Sequence, residues 1–207
     1  MSNVENVYWI GGSPCSGKSS ISQILGEQFG IPIYHIDDRL PRHLQELNSE
    51  QYPALSSWLA ASCNERWLKP VDLMVDEAMA CYGEQWSLLA DEIAAFAERD
   101  CLLVEGTALL PQLITQRINR PNQAIWIVPA AAFQREYYAK RAWVKDILQE
   151  CSDPAAAFNN WMLRDSKYAC RIREQAVRFG YRVLVVDGSQ SLATNAEIVA
   201  RHFGWIS

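Results

Sequence analysis

Short apolar runs recur along the chain, separated by longer segments in which apolar side chains follow helical spacing. The runs lie at residues 7–10, 31–36, 101–105, 123–128 and 181–186. Their apolar, β-branched character is typical of strands that are buried on both faces. Strands that alternate with helices indicate a parallel sheet with helices on both sides. The pattern therefore predicts an α/β fold.

One interval without a strand pattern, residues 39–100, is much longer than a connection between strands requires. Apolar residues within it recur at helical spacing at 55–67, 71–82 and 86–97. These repeats predict three amphipathic helices, with breaks around Lys69-Pro70 and Gly83. Inserted after the second strand, the helices would form a lobe beside the carboxyl ends of the sheet, where open α/β folds bind ligands. Three tryptophans of this lobe either line a pocket or pack in its core: Trp58, Trp67 and Trp86.

The strand at 7–10 is followed by a run that fits the pattern G-x-x-x-x-G-K-[ST]: Gly12-Ser13-Pro14-Cys15-Ser16-Gly17-Lys18-Ser19. A loop with this spacing turns its backbone N–H groups around a phosphate, the lysine reaches the outer phosphates, and the serine hydroxyl binds Mg²⁺. A helical pattern that starts here and continues through Ser20 would hold the anion at a helix N-terminus. The alternative is a Gly/Ser-rich turn that matches by chance, which the strand–loop–helix setting disfavours. We therefore predict that this loop binds a nucleoside triphosphate, with Lys18 as a catalytic cation.

Composition limits the remaining classes of function. The chain has 207 residues, of which 49% are hydrophobic and 21% charged, as expected of a globular domain with a large core. Its net charge of −5 disfavours non-specific nucleic-acid binding, and no apolar stretch is long enough to span a membrane. The start lacks a signal-peptide pattern, and the six cysteines lie at least 18 residues apart. These features predict a cytoplasmic protein with reduced thiols and no nucleic-acid or membrane partner.

Two aspartates, Asp37 and Asp38, directly follow the second predicted strand and thus lie at the same edge of the sheet as the phosphate loop. A carboxylate there can take the proton of an attacking hydroxyl or hold Mg²⁺ through water. We choose Asp37 as the catalytic base or acceptor contact, and Asp38 as second choice and metal ligand. For Asp38 a helix N-cap is the structural alternative. Arg39 and Arg42 follow and would bind an anionic acceptor.

A second acidic element ends the third predicted strand, where Glu105 and Gly106 follow four apolar or small residues. The Glu105 carboxylate would act on a metal-bound water or on the acceptor, which makes it a candidate metal ligand together with Ser19. Gly106 permits a tight turn and a close approach of the acceptor to the backbone. An apolar run that ends in glutamate is common, so the prediction depends on its position after the phosphate loop.

Basic residues are concentrated in one part of this acidic chain. Residues 1–119 carry 7 basic and 16 acidic side chains, whereas residues 120–182 carry 11 basic and 6 acidic ones. Helices that bring arginines over a transferring phosphate would neutralise its charge and exclude water. The candidates for this catalytic role are Arg135, Arg141 and Arg164. Each of them can instead belong to a solvated helix face.

Together these motifs resemble the P-loop small-molecule and nucleoside-monophosphate kinase family over nearly the whole chain. Residues 102–111 are also similar, to a lesser degree, to 2-phosphoglycerate kinase-like proteins. The resemblance implies one three-layer domain with five parallel strands in the order 2-3-1-4-5. It also implies ATP and Mg²⁺, and base contacts from the loop Asp187-Gly188-Ser189. The corresponding division is a core of residues 1–38, 101–134 and 179–207, a helical acceptor lobe of 39–100, and lid helices of 135–178.

These predictions favour an ATP-dependent phosphotransferase that moves the γ-phosphoryl group to a small hydroxylated or phosphorylated acceptor. A regulatory nucleotide-binding or ATPase module without an acceptor remains open, and so does an antibiotic- or toxin-type phosphotransferase. A GTPase switch is disfavoured because the chain has no Asn-Lys-x-Asp motif for reading guanine. No acceptor motif is matched in residues 39–100, so the acceptor, the oligomeric state and the pathway stay open.

Overall fold

The computed structural model describes residues 6–44, 47–97 and 101–207. Its centre is a five-stranded parallel sheet in the order β2-β3-β1-β4-β5. The strands are β1 (Val7–Gly12), β2 (Ile33–His35), β3 (Leu102–Glu105), β4 (Ala124–Pro129) and β5 (Arg182–Val186). All five strands predicted from the apolar runs are present within two residues at each end, and the predicted strand order is confirmed.

The helices are α1 (Lys18–Phe29), α2 (Ile36–His43), α3 (Pro53–Ala60), α4 (Cys63–Trp67), α5 (Val71–Ala97), α6 (Pro111–Ile114), α7 (Ala131–Ala139), α8 (Ala142–Leu148), α9 (Pro154–Arg178) and α10 (Leu192–Phe203). Two short 3₁₀ turns, Thr115–Arg117 and Pro121–Gln123, lead into β4. We call the helices between β2 and β3 the insert, and those between β4 and β5 the α7–α9 segment. No helix among the described residues is both long and apolar enough to cross a membrane.

The sheet is covered on both faces because successive strand residues point to opposite sides. Trp9, Val104 and Trp126 belong to a core on the face covered by α5 and α9. Ile10 and Leu103, their immediate chain neighbours, belong to a second core on the face covered by α1 and α10. Strands buried on both faces need apolar residues at every position, which explains the continuous apolar runs in the sequence.

The insert differs from its prediction in two places. The predicted break at Gly83 is wrong, since α5 continues through it for 27 residues. A glycine inside a helix costs only about 1 kcal/mol, and the buried stripe of α5, which includes Met74 and Leu89, outweighs that cost. The helix predicted over 55–67 is instead divided into α3 and α4. A capping box causes this division, because the Ser62 N–H donates to the Glu65 carboxylate while the Glu65 N–H donates to the Ser62 hydroxyl.

A third core joins the insert to the α7–α9 segment, and a disulfide lies within it. Trp67 and Met74 of the insert pack there with Tyr138 and Trp161 of the α7–α9 segment. Cys63, the first residue of α4, is bonded to Cys151, just before α9, with a Cα–Cα distance of 5.1 Å. The expectation that all cysteines are reduced thiols is therefore wrong for this pair. Their separation of 88 residues concealed the pairing, because the fold brings them together and local spacing does not.

Candidate active site

The phosphate loop lies at the carboxyl end of β1, between Gly12 and the first residue of α1, Lys18. Gly12 has φ +132°, and a Cβ there would collide with the carbonyl oxygen of Ile127 on β4. Only glycine permits this approach and this backbone conformation, so the fold requires glycine at the first position of the motif. The Ser13 N–H donates to the Ile127 carbonyl at 3.2 Å and holds the loop against the sheet.

The first turn of α1 is open to an anion. Its N-cap, Gly17, offers no capping side chain, and the Ile21 N–H is the first amide that bonds back into the helix, to the Gly17 carbonyl. The amides before it are available to a ligand at the positive end of the helix dipole. Lys18 is only 6% exposed and donates from Nζ to the Ser13 carbonyl at 2.8 Å. Burial lowers the pKa of Lys18, while Glu105 and Asp37 act to raise it.

Three adjoining cavities meet at this loop. The phosphate cavity, about 510 Å³, is bordered by residues 14–20 and by Asp37, Thr107 and Arg141. The α10 cavity, about 550 Å³, lies between the loop and the start of α10 and is bordered by Phe133, Tyr137, Gly188 and Ser189. The tryptophan cavity, about 390 Å³, lies between the insert and the α7–α9 segment and is bordered by Trp58, Trp67, Trp143 and Trp161.

The shared walls give the order of these cavities. Cys15, Ser16 and Arg141 border both the phosphate cavity and the α10 cavity. Tyr82, Gln85 and Tyr138 border both the phosphate cavity and the tryptophan cavity. The α10 cavity and the tryptophan cavity share no bordering residue among the described ones. The phosphate loop therefore lies between two separate binding volumes. A shallower depression of about 830 Å³ on the outer side of α3 and α4 has no wall from the loop.

The two aspartates after β2 lie in the first turn of α2, and they differ in position. Both side chains are exposed, but only Asp37 borders the phosphate cavity. The Asp37 carboxylate is open to the cavity, but the surrounding protein removes part of its hydration. This loss of hydration raises the pKa of Asp37, and the positive charge of Lys18 acts to lower it. Arg39 lies away from the loop, over the rings of Tyr34 and Phe96. The side chain of Arg42 lies outside the described part of the structure.

Glu105 is 2% exposed at the end of β3 and does not border the phosphate cavity. Its Oε1 lies 2.7 Å from Nδ1 of His35, while its Oε2 is buried without a hydrogen-bond partner. Its charge acts on Lys18, so it lies close to the loop although it is not part of the cavity wall. The next residue, Gly106, faces Ile36, and Thr107 after it borders the phosphate cavity.

Of the three predicted arginines, the structure brings one to the loop. Arg141 borders the phosphate and α10 cavities, and its Nη2 lies 3.7 Å from Sγ of Cys15. Arg164 borders the tryptophan cavity, 7% exposed, with Nε 2.8 Å from Oδ1 of the buried Asp165. Burial acts to lower the pKa of Arg164, but Asp165 and the neighbouring tyrosine hydroxyls raise it, so the guanidinium stays charged. Arg135 is directed outward, donating to Asn159 at 2.5 Å.

The loop after β5 borders the α10 cavity through Gly188 and Ser189, and its contacts with a nucleotide base stay a prediction. Asp187 has a different position in this loop, since its carboxylate accepts hydrogen bonds from the N–H and the hydroxyl of Ser189, at 2.9 and 2.6 Å. These bonds, from the hydroxyl first, lower the pKa of Asp187. Asp187 therefore stabilises the conformation of this loop.

The structure adds residues that the sequence patterns did not indicate. Tyr82 and Gln85 of α5 and Tyr138 of α7 form the boundary between the phosphate and tryptophan cavities. Gln85 is 8% exposed, and its Oε1 has no hydrogen-bond partner. A glutamine on the apolar stripe of a helix is the one signal that was available in the sequence. Of the three tryptophans considered earlier, Trp58 and Trp67 border a cavity, whereas Trp86 packs edge-on against Trp9 in the sheet core.

The oxygen donors around the loop suit Mg²⁺. Ser19 presents a hydroxyl at the phosphate cavity, and Glu105 has a buried carboxylate oxygen without a partner nearby. Mg²⁺ prefers such hard oxygen ligands and completes its shell with water and phosphate oxygens. No group of three or more histidine, cysteine or acidic side chains within the described ranges is placed to hold a metal ion.

Comparisons with known proteins agree with this geometry at the level of the fold. No protein-family model and no curated protein matches the sequence. A shikimate kinase from Bacteroides thetaiotaomicron aligns with a TM-score of 0.51 and 10% identity, over 94% of this chain and 96% of that one. A gluconokinase from Sinorhizobium meliloti 1021 aligns with a TM-score of 0.52 and 18% identity, over 97% and 91%. The chain therefore has the three-layer α/β fold of the P-loop small-molecule kinases.

Proposed function

We propose that the protein is a phosphotransferase that moves the γ-phosphoryl group of ATP to a hydroxyl group of a small molecule. The observation that supports this proposal is the order of the cavities, with the phosphate loop between two separate binding volumes. A phosphoryl transfer requires donor and acceptor on opposite sides of the transferring group, held in line. A module that only binds or hydrolyses a nucleotide has no need of the tryptophan cavity.

ATP would occupy the α10 and phosphate cavities. Its base would lie beside Gly188 and Ser189, where the rings of Phe133 and Tyr137, 4.2 Å apart between centroids, offer an apolar wall. Its phosphate oxygens would accept hydrogen bonds from the free amides at the start of α1 and from the ammonium of Lys18. Ser19 and Glu105 would hold Mg²⁺, directly or through water, and the ion would neutralise charge on the phosphate oxygens.

The acceptor would enter through the tryptophan cavity and present its hydroxyl beside Asp37. The hydroxyl oxygen forms a new bond to the γ-phosphorus, and the bond between that phosphorus and the β–γ bridging oxygen breaks. ADP leaves with the electron pair, and the hydroxyl proton passes to the Asp37 carboxylate. Arg141 and Lys18 stabilise the charge that spreads over the transferring group.

This proposal includes the division of the chain predicted from the sequence. Residues 39–100 would serve as the acceptor lobe, and residues 135–178 as a lid that closes over the phosphates. Wall residues from both segments, Tyr82 and Tyr138, support this division because they meet at the boundary between the two inner cavities. We also keep a cytoplasmic location as part of the proposal.

Release of ADP tests the function directly. With ATP, Mg²⁺ and a panel of small alcohols, we expect at least one acceptor to raise ADP release above the rate without acceptor. Lys18→Ala should lower that rate by about 10³-fold or more, because it removes the ammonium from the transferring charge. Lys167→Ala is the matched control, since Lys167 is exposed and paired with Asp72. An unchanged rate in Lys18→Ala, with Lys167→Ala equally active, would contradict the proposal.

A further inference from the structure

The tryptophan cavity is bordered mainly by aromatic rings. Trp67 and Trp161 stack with centroids 4.2 Å apart, and Trp58 meets Trp67 edge-on at 5.5 Å. Tyr138 and Trp143 complete this wall, each within about 6 Å of the Trp161 ring. These distances are those of favourable aromatic pairs. A ligand inside the cavity therefore meets flat π surfaces on more than one side.

Part of this aromatic wall is not explained by core packing. Trp67 and Trp161 are about 95% buried and belong to the third core. Trp143, by contrast, is 44% exposed although its ring borders the cavity. Its ring packs against Trp161, but the exposed part keeps apolar surface in contact with water at the mouth of the cavity, which is unfavourable. A flat ligand that covers Trp143 would remove this surface from water.

The cavity also has an excess of positive charge. Arg164 is balanced by its contact with Asp165. Arg66 borders the same cavity and donates to the carbonyls of Trp58 and Leu59, at 3.1 and 3.0 Å. No described carboxylate lies within ion-pair distance of Arg66. An anionic group on the ligand would pair with this guanidinium.

The inner end of the cavity offers unpaired polar atoms. Gln85 Oε1 is buried without a partner at the boundary with the phosphate cavity, and Trp67 Nε1 is a buried donor without one. A buried acceptor atom left unpaired is costly, so a hydroxyl of the ligand beside Gln85 would be favoured. That hydroxyl would lie on the side of the cavity that leads to Asp37.

From these contacts we propose that the phosphoryl acceptor is an aromatic alcohol that carries a carboxylate. Its flat ring lies among Trp58, Trp67 and Trp143, its carboxylate pairs with Arg66, and its hydroxyl arm passes Gln85 to reach the phosphate cavity. The inference rests on the phosphotransferase function proposed above and specifies the substrate class of that same site.

Three probe compounds separate the contribution of the flat ring to recognition from that of the carboxylate. The first is 4-(hydroxymethyl)benzoate, which has a flat ring, a carboxylate and a primary hydroxyl. Benzyl alcohol lacks the carboxylate, and 4-(hydroxymethyl)cyclohexane-1-carboxylate lacks the flat ring. We expect kcat/KM for the first to exceed that for each of the other two by about tenfold. Calorimetric titration without nucleotide should give the same ranking of Kd.

Two variants assign each preference to its residue. Trp143→Leu should remove the preference for the flat ring and keep that for the carboxylate, and Arg66→Gln should do the reverse. Trp205→Leu and Arg171→Gln are matched controls, because Trp205 packs on the opposite face of the sheet and Arg171 pairs with Asp76 outside the cavity. Both controls should keep both preferences.

The outcomes are separable from those for the proposed function. Equal kcat/KM and Kd for the three probes, no binding of 4-(hydroxymethyl)benzoate at millimolar concentration, or preferences that survive both cavity variants would overturn the acceptor class. If ATP is still turned over with a non-aromatic acceptor in a Lys18-dependent way, only the acceptor class fails. If ADP release does not depend on Lys18 with any acceptor, the phosphotransferase function fails as well.

Discussion

Asp37 is the residue on which the chemistry of the proposed transfer depends. The surrounding protein takes hydration from its carboxylate and so raises the pKa of Asp37, while Lys18 opposes that effect. As a base it acts only when ionised, so activity should fall as the pH drops through this raised pKa. The acid limb of the profile of kcat/KM against pH should therefore lie above the usual range of an aspartate, with a tenfold loss per pH unit below it.

Two substitutions test the assignment of this limb. Asp37→Asn should remove the limb and lower kcat by about 10²–10⁴, with little effect on ATP affinity. Asp38→Asn is the control, because the neighbouring Asp38 is also exposed but lies outside the wall of the phosphate cavity, and this variant should keep the limb. A limb that persists in Asp37→Asn would move the base to another group.

At the scale of single residues, the sequence indicated the site only where the chemistry is local. The positions from Gly12 to Ser19 follow from a motif whose backbone shape depends on neighbours in sequence. Arg135 and Arg141 are both in the basic region, yet only Arg141 borders the phosphate cavity. The direction of a helical side chain depends on the packing of its whole helix, which a charge count does not contain. Gln85 required the same tertiary information.

Gly83 shows how an element can tolerate a residue that usually breaks it. It lies inside the 27-residue helix α5, and a Cβ added there would meet no atom within 4 Å. Gly83→Ala should therefore raise the free energy of unfolding by about 0.5–1 kcal/mol, because alanine has the better helix propensity and loses less backbone entropy. Urea denaturation measures this change, with kcat expected to be unaltered. A loss of kcat without a loss of stability would instead indicate that α5 bends at this glycine during turnover.

The disulfide links Cys63 of α4 to Cys151 in the turn between α8 and α9, and all three of these helices border the tryptophan cavity. It closes a loop of 88 residues, and the chain-entropy model assigns such a link about 4.6 kcal/mol. Dithiothreitol should therefore lower the urea midpoint of the native protein. Dithiothreitol should not change the urea midpoint of the double variant Cys63→Ser/Cys151→Ser, which lacks the bond. Cys170→Ser is the control, since Cys170 is an exposed free cysteine and should behave as the native protein does. A native protein insensitive to dithiothreitol would rule out a stabilising bond.

At the scale of elements, periodicity located the strands and most helices but not how they end. The division between α3 and α4 depends on two reciprocal hydrogen bonds of Ser62 and Glu65. Continuity of α5 depends on packing against α9. Both are decided by contacts whose strength is not visible in the alternation of apolar and polar residues.

For the whole molecule, the strand order was predicted from the resemblance, while the arrangement of the cavities was not predicted at all. Three cavities in a row need the insert and the α7–α9 segment to share a core, and Trp67 and Trp161 stack across it. Such a core depends on residues that are about 90 positions apart. Hydrophobic spacing within each helix predicts that a face is buried, but not against which partner.

Arg141 connects the cavities at this largest scale. It borders the α10 and phosphate cavities, and its guanidinium lies over the rings of Tyr138 and Trp143, at 4.9 and 5.7 Å from their centroids. Tyr138 and Trp143 both border the tryptophan cavity. One side chain thus contacts the walls on which ATP and the acceptor would bind. Occupation of either cavity should therefore favour occupation of the other.

We expect Arg141→Gln to lower kcat by about 10²–10³, because a positive charge over the transferring phosphate is lost. It should also reduce the gain in acceptor affinity that a bound, non-hydrolysable ATP analogue produces in the native protein. Steady-state kinetics and calorimetric titration with and without the analogue measure the two effects. Arg135→Gln is the matched control on α7, since Arg135 is directed outward to Asn159 and lies over Phe158. If Arg135→Gln lowers kcat as much as Arg141→Gln does, the loss reflects general disturbance of the α7–α9 segment rather than charge at the phosphate.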